Sequence, residues 1–368
     1  MSREVVIYYH DSVEVDPSTS WTGLDSTLKS ADRVNITSVT DPRVTELFDY
    51  ARPDAVITVN GKPVVSIEQT QMNPSGHNIP QRFSFQVRAA ELGVPSILYY
   101  PEYSRRTFSD PNVRYLQVRV PLAQRRLSSI YGVPALSLFW PTDDKTLLPD
   151  MRRDAHQEMA DVVAAIVAND GQSTSLLTLE EIKRSLENME LVISKYARGY
   201  DRNPSVRDVF PDGFNSARTR DGTSVDPPIA ARLTRTSELL ASIPVGQQGP
   251  NWQATEKFLS KRDYSLVFTG TSNQGKTDSE HPWPGYLSLL DVLYLRTDAG
   301  ISARDREHNL VYVLPVAQSV FIARMNQSSP PTATYIADCF ADLIRLERGA
   351  VPGRTIRDGS QAIPCMKW

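Results

Sequence analysis

Two acids and their neighbours offer the clearest chemistry in this chain. Arg52-Pro53-Asp54 opens one short apolar run. Val65-Ser66-Ile67-Glu68-Gln69-Thr70 closes the next, and Gln81-Arg82 follows shortly after. Asn60-Gly61 between the two runs is a strong hairpin signal. On one face of a hairpin, diagonal neighbours lie about 7–8 Å apart, within joint reach of one cation. Two carboxylates sharing a site repel each other and raise one pKa unless a cation offsets them. Mg²⁺ suits such a pair, with waters and a phosphate completing its shell. It would lower the pKa of a bound water and stabilise charge on a phosphoryl group. The chemistry indicated is hydrolysis of a phosphodiester.

Whether the acids share a face depends on register. A two-residue turn pairs Val59 with Lys62, and hence Asp54 with Ile67, and mixes acids with aliphatics on both faces. A three-residue loop with Gly61 as a bulge pairs Thr58 with Lys62 and Asp54 with Ser66. One face then carries Ala55, Ile57, Val59, Val65 and Ile67. The other carries Asp54, Thr58, Ser66, Glu68 and Thr70. A one-residue slip flips every side chain, so the clean division predicts a bulge at Gly61. Thr70, on the acidic face, is placed to orient a water. The plain alternative is a polar hairpin turned to solvent.

The next element is a predicted helix over 80–92, with Pro80 at its N-terminus and Gln81, Arg82 and Gln86 near its start. Arg82 and Gln86 share a face at i, i+4. Phe83, Val87 and Ala90 make the opposite, apolar face. An arginine at a helix N-terminus above two acids is a phosphate contact. Taken alone, Arg82 would equally read as a surface salt bridge.

Over roughly residues 40–101 the chain resembles the PD-(D/E)xK nuclease superfamily and, within it, type II restriction endonucleases. Pro53-Asp54 matches the Pro-Asp, and Glu68-Gln69-Thr70 matches the Glu-x-Lys slot. The resemblance implies an α/β, restriction-endonuclease-like mixed sheet flanked by helices. It implies that Asp54, Glu68 and the Gln69 carbonyl hold Mg²⁺, and Glu46 on a preceding helix is placed to join them. Thr70 stands where Lys is usual, which leaves the general base open, with Arg82 or Gln86 supplying the missing polar contact. The expected catalytic set is Asp54, Glu68, Thr70, Gln81 and Arg82. The expected activity is Mg²⁺-dependent cleavage of double-stranded DNA at a specific sequence, by a homodimer matched to a palindromic site.

The rest of the chain must position these residues. Its 368 residues suggest two or three domains. Hydrophobic content of 40% and charged content of 23% are those of a soluble globular protein. No apolar run reaches the roughly 18 residues of a membrane span. Met1-Ser2-Arg3-Glu4-Val5 lacks a signal-peptide core, so a cytoplasmic location is expected. The two cysteines, Cys339 and Cys365, form no CxxC pair. A net charge of −3 argues against a purely electrostatic DNA coater.

Strands are predicted at 5–9, 55–59, 62–70 and 95–100, and a helix from Pro42 to about Tyr50, capped by Asp41. A helix–Gly-Val-Pro–strand pattern occurs twice, at Gly93-Val94-Pro95 and at Gly132-Val133-Pro134, after Gln81-Arg82 and Gln124-Arg125 respectively. This reads as two αβ units of one mixed sheet. Residues 151–200 look helical, and 199–230 form a loop rich in Pro, Gly and Arg. Strands at 264–269 and 309–316, an apolar segment at 286–296 and a helix over 332–348 complete the chain. The expected division is a nuclease core at 1–150, a helical and Arg-rich DNA-contact region at 151–250, and an α+β region at 251–368 for recognition or dimerisation.

Other signals are weaker. Gly270-Thr271-Ser272-Asn273-Gln274-Gly275-Lys276-Thr277 matches the P-loop pattern, but Pro282 and Pro284 oppose the helix that motif needs. The arginines at 198, 202, 207, 218, 220, 232 and 235 suit DNA contact as well as a solvated loop. The five histidines form no ligand-spaced cluster. Two alternatives to the restriction nuclease remain. One is a ligand-activated defence nuclease acting on RNA or single strands, and the other a catalytically inactive DNA-binding relative.

Overall fold

The computed structural model describes residues 3–10, 26–70, 78–196 (except 106, 112, 151 and 153–155), 231–248, 252–269, 285–297, 306–313, 340–346 and 349–352. They form two compact units, the first running to Tyr196 and the second starting at Ala231. Among the described residues no helix is long and apolar enough to cross a membrane.

The first unit is mixed α/β. Its strands are β1 (Val5–Tyr9), β2 (Asp32–Asn35), β3 (Ala55–Val59), β4 (Lys62–Gln69), β5 (Ser96–Pro101) and β8 (Ala135–Trp140). A two-stranded ribbon, β6 (Tyr103–Ser104) with β7 (Arg114–Tyr115), follows β5. The six-stranded sheet has the order β2-β1-β3-β4-β5-β8. Helices α1 (Ser26–Lys29) and α2 (Pro42–Thr45) precede the hairpin, and the Asp41 carboxylate caps α2 by accepting from Arg43 N–H. Helix α3 (Asn78–Glu91) connects β4 to β5, and α4 (Arg119–Tyr131) leads from β7 to β8. Strands β4, β5 and β8 run parallel, as two αβ units require.

The repeated Gly-Val-Pro performs the same task twice. Gly93 and Gly132 take positive φ, 72° and 65°, where each helix ends. The carbonyls of Pro95 and Pro134 then accept from Ser66 N–H and Ser96 N–H and start the parallel ladders. The Gln-Arg part of the echo is not equivalent. Gln81-Arg82 lie at the start of α3, whereas Gln124-Arg125 lie mid-helix in α4.

The aliphatic face of the β3–β4 hairpin needs a cover, and residues 157–196 supply it. Helices α5 (Gln157–Ala168), α6 (Ser173–Leu176) and α7 (Glu180–Tyr196) bring Met159, Val163, Ile166, Ile182 and Met189 into one cluster with Ala55, Ile57, Val65 and Ile67. These helices belong to the first unit, although the sequence suggests a boundary near 150. On the other face, Ile36, Val44 and Leu47 pack with Val56, Ala89 and Val94.

The hairpin turn corrects one expectation. Val59 pairs with Lys62, and Asn60 and Gly61 both have positive φ (49° and 73°), so the turn is the two-residue type I′ form. The bulge lies further along, where Thr58 pairs with Pro63 but Ile57 pairs with Val65. Val64 is the extra residue. Pro63 explains the location, because a central strand tolerates proline only at such an interruption of its ladder. Gly171, with φ +61°, sits directly against the bulge: a Cβ there would meet Val64 Cα at 2.7 Å.

The second unit is a five-stranded sheet in the order β13-β12-β11-β10-β9, formed by β9 (Ala231–Arg235), β10 (Tyr264–Thr269), β11 (Asn309–Val313), β12 (Leu343–Leu346) and β13 (Gly349–Pro352). Strands β10, β11 and β12 are parallel and both edge strands antiparallel. Helices α8 (Thr236–Ala241) and α9 (Trp252–Leu259) join β9 to β10. Strand β9 belongs here, although the sequence places a boundary near 250. The helix expected over 332–348 is not found at 343–346, where Leu343-Ile344-Arg345-Leu346 is strand β12; the part before Phe340 lies outside the described residues. Helix α10 (Gly285–Leu290) continues into a single wide turn at Asp291–Leu295. Asp291 there accepts from Arg296 Nε at 2.7 Å and from Arg306 Nε at 2.6 Å. Arg306 Nη1 reaches Asp342 at 3.1 Å, and all four side chains are fully buried.

Candidate two-carboxylate site

The site forms where β3 begins and β4 ends. One step beyond the Ala55–Ile67 pair, Asp54 stands opposite Glu68. Each carboxylate is held by a backbone N–H from the opposite side of the hairpin. Asp54 N–H donates to Glu68 Oε2 at 3.1 Å, and Gln69 N–H donates to Asp54 Oδ2 at 2.8 Å. His10 N–H donates to the Asp54 carbonyl at 3.0 Å and ties the pair to the end of β1. The bulge at Val64 thus achieves what the sequence reading assigned to Gly61. Either one-residue insertion places Asp54 and Glu68 on the same face.

Arg82 comes from one turn into α3. Its Nη1 donates to Glu68 Oε1 and to the Gln69 carbonyl at 3.0 Å, and lies 3.9 Å from Asp54 Oδ2. Glu68 forms the floor of the site with a side chain 9% exposed, while Asp54 and Arg82 are 26% and 36% exposed and line its open side. Burial pushes the Glu68 carboxyl up to about 8. Asp54 adds to the rise, and Arg82 opposes it. Two acids therefore share one arginine.

The other expected residues are placed as follows. Thr70 is buried just past β4, its N–H bonded to the Tyr99 carbonyl at 2.9 Å. The Gln81 backbone lies in α3, and its side chain falls outside the described residues. Gln86 turns away from the acids and is fully buried. Its Nε2 donates to Ser96 Oγ and the Leu136 carbonyl, its Oε1 accepts from Gln124 Nε2 at 2.7 Å, and Gln124 Oε1 accepts from Ser137 Oγ at 2.6 Å. The Arg82–Gln86 stripe faces the sheet, so Gln86 serves helix docking and is not the missing polar contact. Glu46 is exposed, and its carbonyl accepts from Arg88 Nε toward the far end of α3, so it is not brought to the acids. His77 and the P-loop-like stretch 270–277 lie outside the described residues, as do all of the arginines named above as DNA contacts except Arg232 and Arg235. Those two lie exposed on edge strand β9.

The donor set fits a hard divalent cation: two carboxylates and the Gln69 carbonyl, all oxygen, converge on one positive group. Among the described residues there is no cluster of three or more His, Cys, Asp or Glu side chains. A cation here would rest on these three ligands with water and phosphate, which suits Mg²⁺ better than zinc. The chain matches no family model, no curated protein and no solved structure.

Proposed function

We propose that the first unit is a Mg²⁺-dependent endonuclease with a restriction-endonuclease-like sheet, cutting double-stranded DNA at a specific sequence as a homodimer. One observation carries this reading: Asp54 and Glu68 are locked side by side where β3 begins and β4 ends, with Arg82 from the following helix on both. Hairpin, helix and parallel strand follow in the order the resemblance requires. Asp54, Glu68 and the Gln69 carbonyl would hold Mg²⁺, which supplies an activated water and charge stabilisation at phosphorus. Arg82 would supply a guanidinium for the phosphate, and Thr70, two residues past Glu68, a hydroxyl to orient the water.

Plasmid cleavage in Mg²⁺ tests this. The wild type should give discrete fragments, and Asp54→Ala and Glu68→Ala should each cut at least about a thousandfold more slowly, as expected when a metal ligand is removed. Undiminished cutting by both variants refutes the site. Arg82's place on the acids, together with Thr70 in the Lys slot, also favours a second reading, an inactive DNA-binding relative. Tight Mg²⁺-independent binding of DNA without cleavage would establish it.

A further inference from the structure

The position of Arg82 carries a step beyond this reading, and rests on it. Its Nη1 touches the same three oxygen groups that would serve as cation ligands: the Glu68 carboxylate, the Gln69 carbonyl and, at 3.9 Å, the Asp54 carboxylate. A guanidinium nitrogen and a divalent cation cannot share these oxygens, because like charges at such separations repel strongly in a partly buried site. We propose that Arg82 is the resident counter-ion of this site, so that guanidinium and divalent cation compete for the same oxygens.

The side chain is suited to such an exchange. It starts one turn into α3 on a long flexible stem and is 36% exposed, so it can withdraw without moving the helix. Glu68, at 9% exposure, cannot leave in the same way. Once released, the guanidinium stands at the mouth of the site, where a phosphate would complete the cation's shell. Arginine binds phosphate through paired, charge-assisted hydrogen bonds. Arg82 would therefore move from acid to substrate as the cation enters. By linkage, a phosphate that draws Arg82 off the acids strengthens cation binding, and the cation strengthens phosphate binding equally.

Mn²⁺ binding to the DNA-free protein, measured by calorimetry and by electron paramagnetic resonance, tests the competition. Arg82→Gln should bind Mn²⁺ about tenfold more tightly than the wild type, an ordinary coupling between two ligands. Glu68→Ala should bind it more weakly. The metal-free Arg82→Gln protein should melt at a lower temperature than the wild type, and Mn²⁺ should restore it. Equal or weaker Mn²⁺ binding by Arg82→Gln, with Glu68→Ala still impaired, overturns the inference and leaves the cation site standing. No Mn²⁺ binding by either the wild type or Arg82→Gln removes the cation site and the inference with it. If Arg82→Gln fails to fold, the wild type suffices. The Arg82 Nε–H resonance, assigned with Arg82→Lys, should shift on Mg²⁺ titration, and an unmoved resonance at saturation overturns the proposal.

Discussion

Replacing Glu68 with Gln should make the metal-free first unit increasingly stable, relative to the wild type, as pH rises. In the folded chain, burial, then Asp54, push the Glu68 carboxyl up to about 8, against the pull of Arg82. In the unfolded chain it titrates near its ordinary value of 4.5. Between these values the unfolded state gives up a proton that the folded state keeps. Wild-type stability from this group is therefore fully present below the unfolded value and falls by about 1.4 kcal/mol per pH unit above it. Gln does not titrate. The difference in unfolding free energy, variant minus wild type, should grow by about 3 kcal/mol between roughly pH 5.5 and 7.5, then level off above about 8. A side chain only 9% exposed loses little of this to solvent screening. An altered hydrogen bond to Asp54 N–H would offset the whole curve without changing its slope. Urea titrations in a chelator, read by hydrogen exchange of peptides from β4 and β5, isolate this unit. A flat difference, or one that falls with pH, would mean that Glu68 is ionised throughout in the folded protein, and the charge reasoning would be refuted.

Asp291→Asn leaves two buried guanidiniums with Asp342 as the one carboxylate among the described residues of this group, and the second unit should lose about 3–5 kcal/mol. Exchange in β11 and β12 should report the loss while β4 stays unchanged. Gly171→Ala forces a Cβ to 2.7 Å from Val64 Cα at φ +61°, and should cost about 2–4 kcal/mol from strain and overpacking together. Gly132→Ala has nearly the same φ but nothing within 4 Å, and should cost about 1 kcal/mol. Equal losses in urea midpoint for these two glycines would mean that the contact with the bulge contributes nothing.

The parts of the first unit legible in the sequence are those with local causes. Asn60-Gly61 makes its turn, and each Gly-Val-Pro ends a helix and starts a ladder. Face division puts the two acids on one face, because that depends only on whether the hairpin contains an odd insertion, but it pairs Asp54 with Ser66 where the structure sets it opposite Glu68. The place of that insertion is not local: the sequence pattern puts it at Gly61, and Pro63 points to its true place only once β4 is known to have neighbours on both sides. The role of Gln86 is not legible, because spacing shows that it shares a face with Arg82 but not which face is buried. Leu343–Leu346 is too short for its periodicity to separate strand from helix. The Asp291, Arg296, Arg306 and Asp342 group comes from three separate segments and leaves no local pattern. The helical cover from 157 to 196 follows from the apolar hairpin face only once its pairing is known.

The extra residue at Val64 also bears on how such a chain tolerates change in length. A strand offers only two sides, so in a plain ladder the count of residues between turn and acids behaves as a parity bit. Asp54 lies five residues before Val59 and Glu68 six after Lys62, so loss of the extra residue, Val64, would leave a plain ladder in which the two acids still face each other. A second loss from β4 would turn them to opposite sides. Descendants of this hairpin can therefore lack the bulged residue and keep their chemistry, while one further deletion abolishes it. A search that scores only the acidic residues and their approximate spacing would see no difference between the two.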